Sequence, residues 1–383
     1  MIKLGIEVLL ADYMSLLKGK RIGLVTNMTG VNSNLQSTID LMYQHQDFQL
    51  TTLFGPEHGI RGDVQEGSKI DSSIDPYTKC PVYSLYGNTK KPTKGMLENV
   101  DSIIVDLQDI GARYYTFIST LALLMEACME EKKEVIVLDR PNPINGTSFE
   151  GNIIEEPYRS FVGLYPLPNR HGLTIGEIAN IYKYVYDLNC ELTIIPMKGW
   201  DRSMFFSDTG LHWVQPSPNS TGEDMSILYP GMCLIEGTNL SEGRGTTRPF
   251  EIVGAPFING YEVAKIFNSL NLSGVIARPT TFIPNYQKYK GQLCYGIQIH
   301  IINKRNVNSF EVGIRLLSII AQLYEEEFTF LDKESDRCFF NLLSGTGQLK
   351  HLILLNQFND FLDQCKRDCE IFNKKAKPYL LYQ

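Results

Sequence analysis

The sequence lacks the marks of several large classes of protein. Its 383 residues contain no apolar run near the roughly 18 residues that a membrane-spanning helix needs. Lys and Arg number 36 against 43 Asp and Glu, which gives a formal net charge of −7 with both signs interspersed. Because nucleic-acid binding depends on a basic surface, this balance argues against nucleic acid as a general partner. We therefore expect no membrane insertion and no nucleic-acid partner.

Signatures of cofactors and metals are missing as well. Residues 26–31, after the first predicted strand, hold one glycine where a dinucleotide-binding turn needs three, and no P-loop pattern occurs. The eight cysteines are scattered, and Cys365 and Cys369, although spaced to share a helix face, have no second Cys or His pair to complete a zinc site. The sequence thus predicts no nucleotide, no other cofactor and no metal.

The N-terminus leads to an expectation about location. Residues 1–12 include Glu7 and Asp12 and lack the apolar segment and small-residue cleavage site of a secretory signal. For the chain as it stands we expect a cytoplasmic protein, and a periplasmic or secreted one if a signal was removed from it. Nothing in the sequence indicates an oligomeric state.

What the chain does contain is an alternation of short apolar segments with amphipathic ones. With 43% apolar and 21% charged residues, its length suits about two globular domains. Apolar strands separated by helices are typical of a parallel sheet covered on both faces. The first half predicts four strands and two helices: strands at 21–26, 50–54, 102–106 and 135–138, and helices at 33–46 and 115–130.

Turn-forming residues between 141 and 172 indicate a boundary between two domains. We predict an α/β protein with a Rossmann-like parallel-sheet domain, the catalytic one, at residues 1–160. A smaller α+β C-terminal domain at 161–383 would close the cleft. Two long segments, 60–100 and 215–258, look irregular. Further elements are predicted as helices at 173–186, 260–270, 309–325 and 357–372, and as strands around 194–195, 274–283 and 294–302.

Polar residues follow all four strands of the first half. They are Asn27, Glu57 with His58, Gln108 with Asp109, and Asp139 with Arg140. The carboxyl ends of parallel strands lie along one edge of a sheet, and ligands bind there in open α/β sheets. We therefore expect these side chains to meet in one crevice.

The octet GPEHGIRG at 55–62 places a carboxyl group and an imidazole next to each other on a bend. Pro and Gly prevent a regular element there, so Glu57 and His58 would be held at the end of a strand. A Glu in such a place can donate or accept a proton during bond cleavage. The alternative is a Glu57 that only forms a salt bridge with Arg61.

A second polar cluster lies in the loop 236–251. It contains Glu236, Glu242, Arg244, Thr246 and Arg248 among several glycines. The planar fork of Arg suits carboxylate ligands, and glycine allows a ligand to approach the backbone. We interpret the loop as a ligand contact; the alternative is a polar surface loop with internal salt bridges.

Six strings occur in order along the chain: FGPEHGIRG (54–62), VYSLYG with KPT (82–93), DLQDIGARYYTFIST (106–120), DRPNPING (139–146), PLPNRHGLTIGE (166–177) and EGTNLSEGRGTTRPFE (236–251). By these strings the sequence resembles the DUF1343 family, which includes the NamZ exo-acting β-N-acetylmuramidases. The similarity covers essentially the whole chain, down to residues 379–382, and six long strings in the same order make it specific.

The resemblance implies a glycosidase of cell-wall recycling, with its cleft between the two domains. It would release N-acetylmuramic acid from the non-reducing end of peptidoglycan-derived glycans or muropeptides. The family's favoured catalytic carboxylate falls on Glu57. We expect His58 and Asp109 as further catalytic groups. The expected substrate-binding residues are Asn27, Arg61, Gln108, Arg113, Tyr115, Asp139, Arg140, Glu236, Glu242, Arg244, Thr246 and Arg248.

The sequence leaves the mechanism open. Glycoside cleavage usually needs an acid and a second carboxylate, and Asp109, Asp139, Glu236 and Glu242 are all candidates for the second group. Retaining, inverting and substrate-assisted routes remain open, because the separation of the groups is a three-dimensional quantity. Arg244 and Arg248 are candidates to bind the lactyl carboxylate of muramic acid. The alternatives to a hydrolase are a non-catalytic muropeptide-binding protein and a sugar transferase.

Overall fold

A seven-stranded sheet forms the centre of the N-terminal part of the chain. The computed structural model describes residues 2–57, 59–61, 72–332 and 335–383. The strands are β1 (Arg21–Thr26), β2 (Gln49–Gly55), β3 (Ser72–Ile74), β4 (Pro81–Ser84), β5 (Ser102–Asp106), β6 (Glu134–Leu138) and β7 (Glu191–Ile195). Their order in the sheet is β3-β4-β2-β1-β5-β6-β7, and only β3 runs antiparallel to its neighbour.

Helices cover both faces of this sheet, as the continuous apolar strands predict. They are α1 (Gly5–Asp12), α2 (Thr38–Tyr43), α3 (Phe117–Glu130) and α4 (Ile175–Val185). Successive strand residues point to opposite faces. In β5, Ile103 and Val105 pack with α3 and α4, whereas Ile104 packs with α1 and α2. The six parallel strands therefore form the doubly wound arrangement of a Rossmann-like fold.

The predicted strands of the first half are confirmed, and the differences have local causes. The helix predicted at 33–46 is only α2, because the Asn32 side chain accepts the backbone N–H of Asn34 (3.0 Å) and of Gln36 (2.9 Å) and holds a turn there. The segment 60–100 looked irregular, yet β3 and β4 lie in it. Thr174 caps α4 as its capping box predicts.

The C-terminal part builds a second, smaller sheet surrounded by helices. Its antiparallel strands are β8 (Ile252–Ala255), β9 (Val275–Phe282) and β10 (Cys294–Ile301), in the order β8-β10-β9. Its helices are α5 (Glu223–Met232), α6 (Gly260–Ser269), α7 (Ser309–Leu323), α8 (Phe339–Ser344), α9 (Leu349–Leu354) and α10 (Asn359–Ala376). We call the part from α5 onward the C-lobe and the part before it the N-lobe. Strand β7, which pairs with β6, begins at residue 191, past the expected boundary at 160 and 161.

Arg113 joins the two lobes from a fully buried position. Its Nη1 donates to the carbonyls of Asn152 (2.7 Å) and Leu167 (2.8 Å) in the N-lobe. Its Nη2 donates to those of Leu343 (3.1 Å) and Ser344 (2.9 Å) at the end of α8. The last carbonyls of a helix need external donors, and a cation is favoured at that end. Burial lowers the pKa of this guanidinium to about 10, so it stays charged at neutral pH.

The C-terminal residues return to the N-lobe and add a second connection. The Tyr382 hydroxyl donates to Asp139 Oδ2 (2.6 Å) and accepts the backbone N–H of Met197 (2.9 Å).

None of the helices in the described ranges is long and apolar enough to cross a membrane.

We expect Arg113→Met to lower the free energy of unfolding by at least ~3 kcal/mol, because four buried carbonyls lose a donor and each loss costs about 1–3 kcal/mol. Urea unfolding measures this change. The matched control is Arg21→Met, since Arg21 also forms a forked pair, with Asp101, but on the surface. The control should change stability far less, because solvent screens an exposed ion pair. Equal effects of the two substitutions would contradict a special role for Arg113.

Candidate active site between the lobes

Glu57 is held between the end of β2 and the start of α3. Pro56 follows the strand, and Gly59 turns the chain with a φ of 75°, a conformation that favours glycine. Thr116, the N-cap residue of α3, donates its hydroxyl hydrogen to Glu57 Oε2 at 2.9 Å. One carboxylate oxygen is thereby fixed, and Oε1 is not used by this bond. His58 lies outside the described residues.

The half-buried Glu57 side chain lines a cavity of about 480 Å³ between the lobes, which we call the cleft. Ligand pockets commonly have volumes of about 300–1,000 Å³. The N-lobe supplies Glu57, Tyr86, Gly87, Lys90, Tyr114, Thr116, Phe161 and Val162, and the C-lobe supplies Tyr229, Cys233, Glu236, Arg244, Phe339 and Leu343. A molecule in this cavity would therefore touch both lobes.

A smaller cavity of about 50 Å³ shares Glu57 and Arg244 with the cleft, and we call it the inner pocket. Tyr115, Phe117, Met225 and Phe250, all buried, form much of its wall. Ser217 and Asn219 add polar groups. The cleft thus ends against the core beside Glu57.

Arg244 forms the electrostatic centre of the C-lobe wall. Its Nη2 lies 3.0 Å from Glu236 Oε1, and its Nε lies 3.4 Å from Glu242 Oε1. Lys288 Nζ lies 3.0 Å from Glu242 Oε2. Two cations and two carboxylates therefore balance one another. Burial, the larger effect, raises the pKa of Glu236, while Arg244 lowers it.

The structure brings four expected site residues to the cleft or its inner pocket: Glu57, Tyr115, Glu236 and Arg244. From the 236–251 loop, Glu242 is buried behind Arg244, and Thr246 donates to the Gly243 carbonyl (2.6 Å) within the loop. The Arg248 side chain is 59% exposed and pairs with Glu251. Both interpretations of the loop therefore apply in part, because it forms internal salt bridges and two of its residues also line the cleft.

Other expected residues hold the edge of the sheet together. Asp109 is buried, and its Oδ2 accepts the N–H of Gly111 (2.6 Å) and lies 3.1 Å from His171 Nε2. Asp139 is fully buried at the start of α4, where it accepts hydrogen bonds from Thr174 and Gly176. Burial raises its pKa to about 7. Neither carboxylate belongs to the walls of the cleft or the inner pocket.

Arg140, Asn27 and Gln108 lie in a different crevice, at the point between β1 and β5 where the strand order reverses. Arg140 forms a two-pronged ion pair with Asp106, at 2.5 and 2.9 Å. Thr38 donates to the same carboxylate at 2.5 Å. The cavity that remains there has a volume of about 20 Å³. The side chains expected to meet in one crevice are therefore divided between this position and the cleft, and the chain's own side chains fill the usual ligand position.

Arg61 contributes to the sheet edge rather than to Glu57. Its guanidinium lies 2.8 and 3.2 Å from the Asp75 carboxylate and stacks over Tyr77, 4.9 Å from the ring centroid. The Glu57–Arg61 pair considered above is therefore not the arrangement found. Arg113, expected near substrate, instead binds the two lobes together.

Several cleft residues were not singled out from the sequence. Tyr86 and Lys90 belong to the VYSLYG and KPT region, and Phe161 lies in a turn without a motif. Thr116, the partner of Glu57, looked like part of a helix start. Its position directly after Tyr115, within the string DLQDIGARYYTFIST, is the signal that could have identified it.

The chain is a two-lobed α/β protein whose inter-lobe cleft contains acidic, basic and aromatic side chains, the kind of site that suits a polar sugar. Family models for the exo-β-N-acetylmuramidase NamZ match it over its length, the N-terminal model at residues 22–224 and the C-terminal model at 227–382. It therefore belongs to the NamZ family.

Individual relatives agree with this assignment. The chain is 46% identical over 382 residues to the peptidoglycan β-N-acetylmuramidase NamZ of Bacillus subtilis (strain 168), covering 100% of this chain and 91% of that protein. A DUF1343 family crystal structure from Bacteroides fragilis superposes with a TM-score of 0.93 at 38% identity, covering 100% of this chain and 99% of the other. A second DUF1343 structure from the same strain has a TM-score of 0.76 at 31% identity and the same coverage.

The ion-pair network predicts a pH-dependent contribution of Arg244 to stability. Arg244→Gln should lower the free energy of unfolding by about 3 kcal/mol at neutral pH, because two carboxylates lose a shared cation. The loss should shrink as the pH falls and Glu236, whose pKa burial raises, becomes protonated. Urea unfolding at several pH values measures it, with Arg248→Gln as the exposed control. A loss that stays constant with pH would contradict the network.

Proposed function

We propose that this protein is an exo-acting β-N-acetylmuramidase that releases N-acetylmuramic acid from the non-reducing end of peptidoglycan fragments. The observation that carries the proposal is the position of Glu57, whose carboxyl group lines the cleft between the lobes. Membership of the NamZ family and the 46% identity to the Bacillus subtilis enzyme support it.

The shape of the site supports action at chain ends. The inner pocket beside Glu57 stops against the buried side chains of Tyr115 and Phe250. A terminal sugar can lie in the cleft against this closed end, with the rest of the glycan directed away from it. Tyr86, Phe161 and Phe339 offer aromatic faces and edges along the cleft. Aromatic rings supply large apolar contact area, which suits the faces of sugar rings.

Glu57 is the proposed proton donor in the cleavage step. As the bond between C1 of N-acetylmuramic acid and the glycosidic oxygen breaks, the Glu57 proton passes to that oxygen and the shortened glycan leaves. Water then supplies a hydroxyl group to C1 and a proton that restores the acid. The hydrogen bond from Thr116 to Oε2 orients the carboxyl group for this transfer.

Glu236 is the proposed second carboxyl group. Of the four candidates, Asp109, Asp139 and Glu242 are buried in contacts elsewhere, whereas Glu236 lines the cleft with Glu57. Two carboxyl groups in different environments are the usual arrangement in glycosidases. The acetamido oxygen of the substrate is the alternative nucleophile, and turnover by Glu236→Gln distinguishes the two. A retained rate would favour assistance by the substrate.

Glu57→Gln should lower kcat by about 10²–10⁴-fold, the usual contribution of a general acid, while substrate binding is retained. The measurement uses aryl β-N-acetylmuramides with leaving groups of different acidity. Because an acidic phenol leaves without protonation, the loss should be smaller for a dinitrophenyl glycoside than for a phenyl glycoside. Unchanged turnover by the variant would contradict the role of Glu57.

The matched control for this series is Glu98→Gln, which alters an exposed carboxylate outside the cleft walls. It should leave kcat close to that of the parent protein. If the parent protein binds muropeptides but never releases sugar, the non-catalytic binding protein becomes the better description.

A further inference from the structure

We propose that Lys90 forms an anion-binding subsite in the cleft, which takes the lactyl carboxylate of N-acetylmuramic acid. The inference rests on the proposed function and adds the group that distinguishes muramic acid from glucosamine. N-acetylmuramic acid is N-acetylglucosamine with a lactyl ether, so its carboxylate is the part of the sugar that a cation recognises.

The charges of the cleft walls favour Lys90 over Arg244 for this task. Arg244 already faces the carboxylates of Glu236 and Glu242, which would repel a third anion. Among the described residues, the Lys90 ammonium group has no carboxylate partner. A cation without an internal counter-ion is the natural place for the charge of a ligand.

The position of Lys90 is fixed by its neighbours. Its Nζ lies 4.4 Å from the centroid of the Phe161 ring, a distance typical of a cation–π contact. The next residue, Lys91, is tied to α3 through Glu130 (2.7 Å) and Glu126 (3.6 Å). Lys91 anchors the loop to the body of the N-lobe, and Lys90 is left facing the cleft.

Phe161 is also held firmly. It lies in a two-residue turn closed by hydrogen bonds in both directions between Ser160 and Gly163, each 3.0 Å long. Its ring contacts that of Tyr86, with 6.2 Å between the centroids. Val162 lines the cleft beside it, and this apolar side chain suits the lactyl methyl group. The subsite thus combines an ammonium group with an apolar surface, which matches both parts of the lactyl ether.

The test compares substrates that differ only in the charge of the lactyl group. They are an aryl β-N-acetylmuramide and its lactyl N-methylamide. Lys90→Met should lower kcat/KM for the carboxylate substrate by about 10- to 100-fold, mainly through KM, as expected for the loss of a charge-assisted contact. For the amide, parent and variant should agree within about twofold, because neither can form the ion pair.

Two control variants accompany Lys90→Met. Lys90→Arg keeps the charge and should recover most of the activity. Lys94→Met removes an exposed lysine nearby, which does not line the cleft, and should behave like the parent protein. Far-ultraviolet circular dichroism and thermal unfolding check that the variants are folded.

A loss of equal size on both substrates would overturn the subsite, since it would place Lys90 in the general chemistry or in the structure of the loop. A pH profile of kcat/KM shifted equally for both substrates would overturn it too, by showing that Lys90 acts on Glu57. If the amide is turned over too slowly, calorimetry in the Glu57→Gln background compares binding of the two ligands. Absence of any turnover by the parent protein would instead count against the proposed function.

Discussion

Four consecutive residues, Arg113 to Thr116, connect the stability of the fold to the geometry of the cleft. Arg113 binds the last carbonyls of α8, including that of Leu343, which is itself a wall of the cleft. Tyr114 donates a hydrogen bond to the Pro230 carbonyl in α5, and Tyr115 lines the inner pocket. Thr116 holds Glu57. One short segment therefore sets the distance between the lobes and the orientation of the acid. A shift of one lobe would also change the distance between the two carboxyl groups of the cleft, because they come from opposite lobes.

The sheet explains why the cleft is not at the usual ligand position of a doubly wound fold. Between β1 and β5, where strand order reverses, the Asp106–Arg140 pair and Thr38 fill the crevice. That arrangement satisfies a buried charge internally, and it leaves about 20 Å³. The ligand cavity lies instead toward β2 and β4, where the C-lobe provides the opposite wall. The fold thus supplies the frame, and the added lobe determines where a ligand can bind.

The regular elements could be predicted from the sequence where one physical signal dominates. β1, β2, β5 and β6 are short apolar runs buried on both faces, and α4 begins with a capping box. β4 was missed because it lies near the sheet edge and all four of its residues are only half-buried. α5 was missed because Pro230 lies inside it, which normally argues against a helix.

The site was harder to predict than the fold, because the sequence does not show which polar side chains bond to one another. Parallel strands bring Asn27, Asp109 and Arg140 to one edge, but the strand pattern does not indicate the hydrogen-bond or ion-pair partner of each side chain. None of those three lines the cleft: Asn27 bonds to Thr29 beyond β1, Asp109 bonds to Gly111 beyond β5, and Arg140 pairs with Asp106 in β5. Among the described residues, Arg61, four positions after Glu57, pairs with Asp75 and not with Glu57. The cleft therefore combines Lys90, which has no carboxylate partner among the described residues, with the Glu236–Arg244 pair, which the fold also uses. Which side chains reach the cleft depends on contacts between lobes that no local pattern in the sequence records.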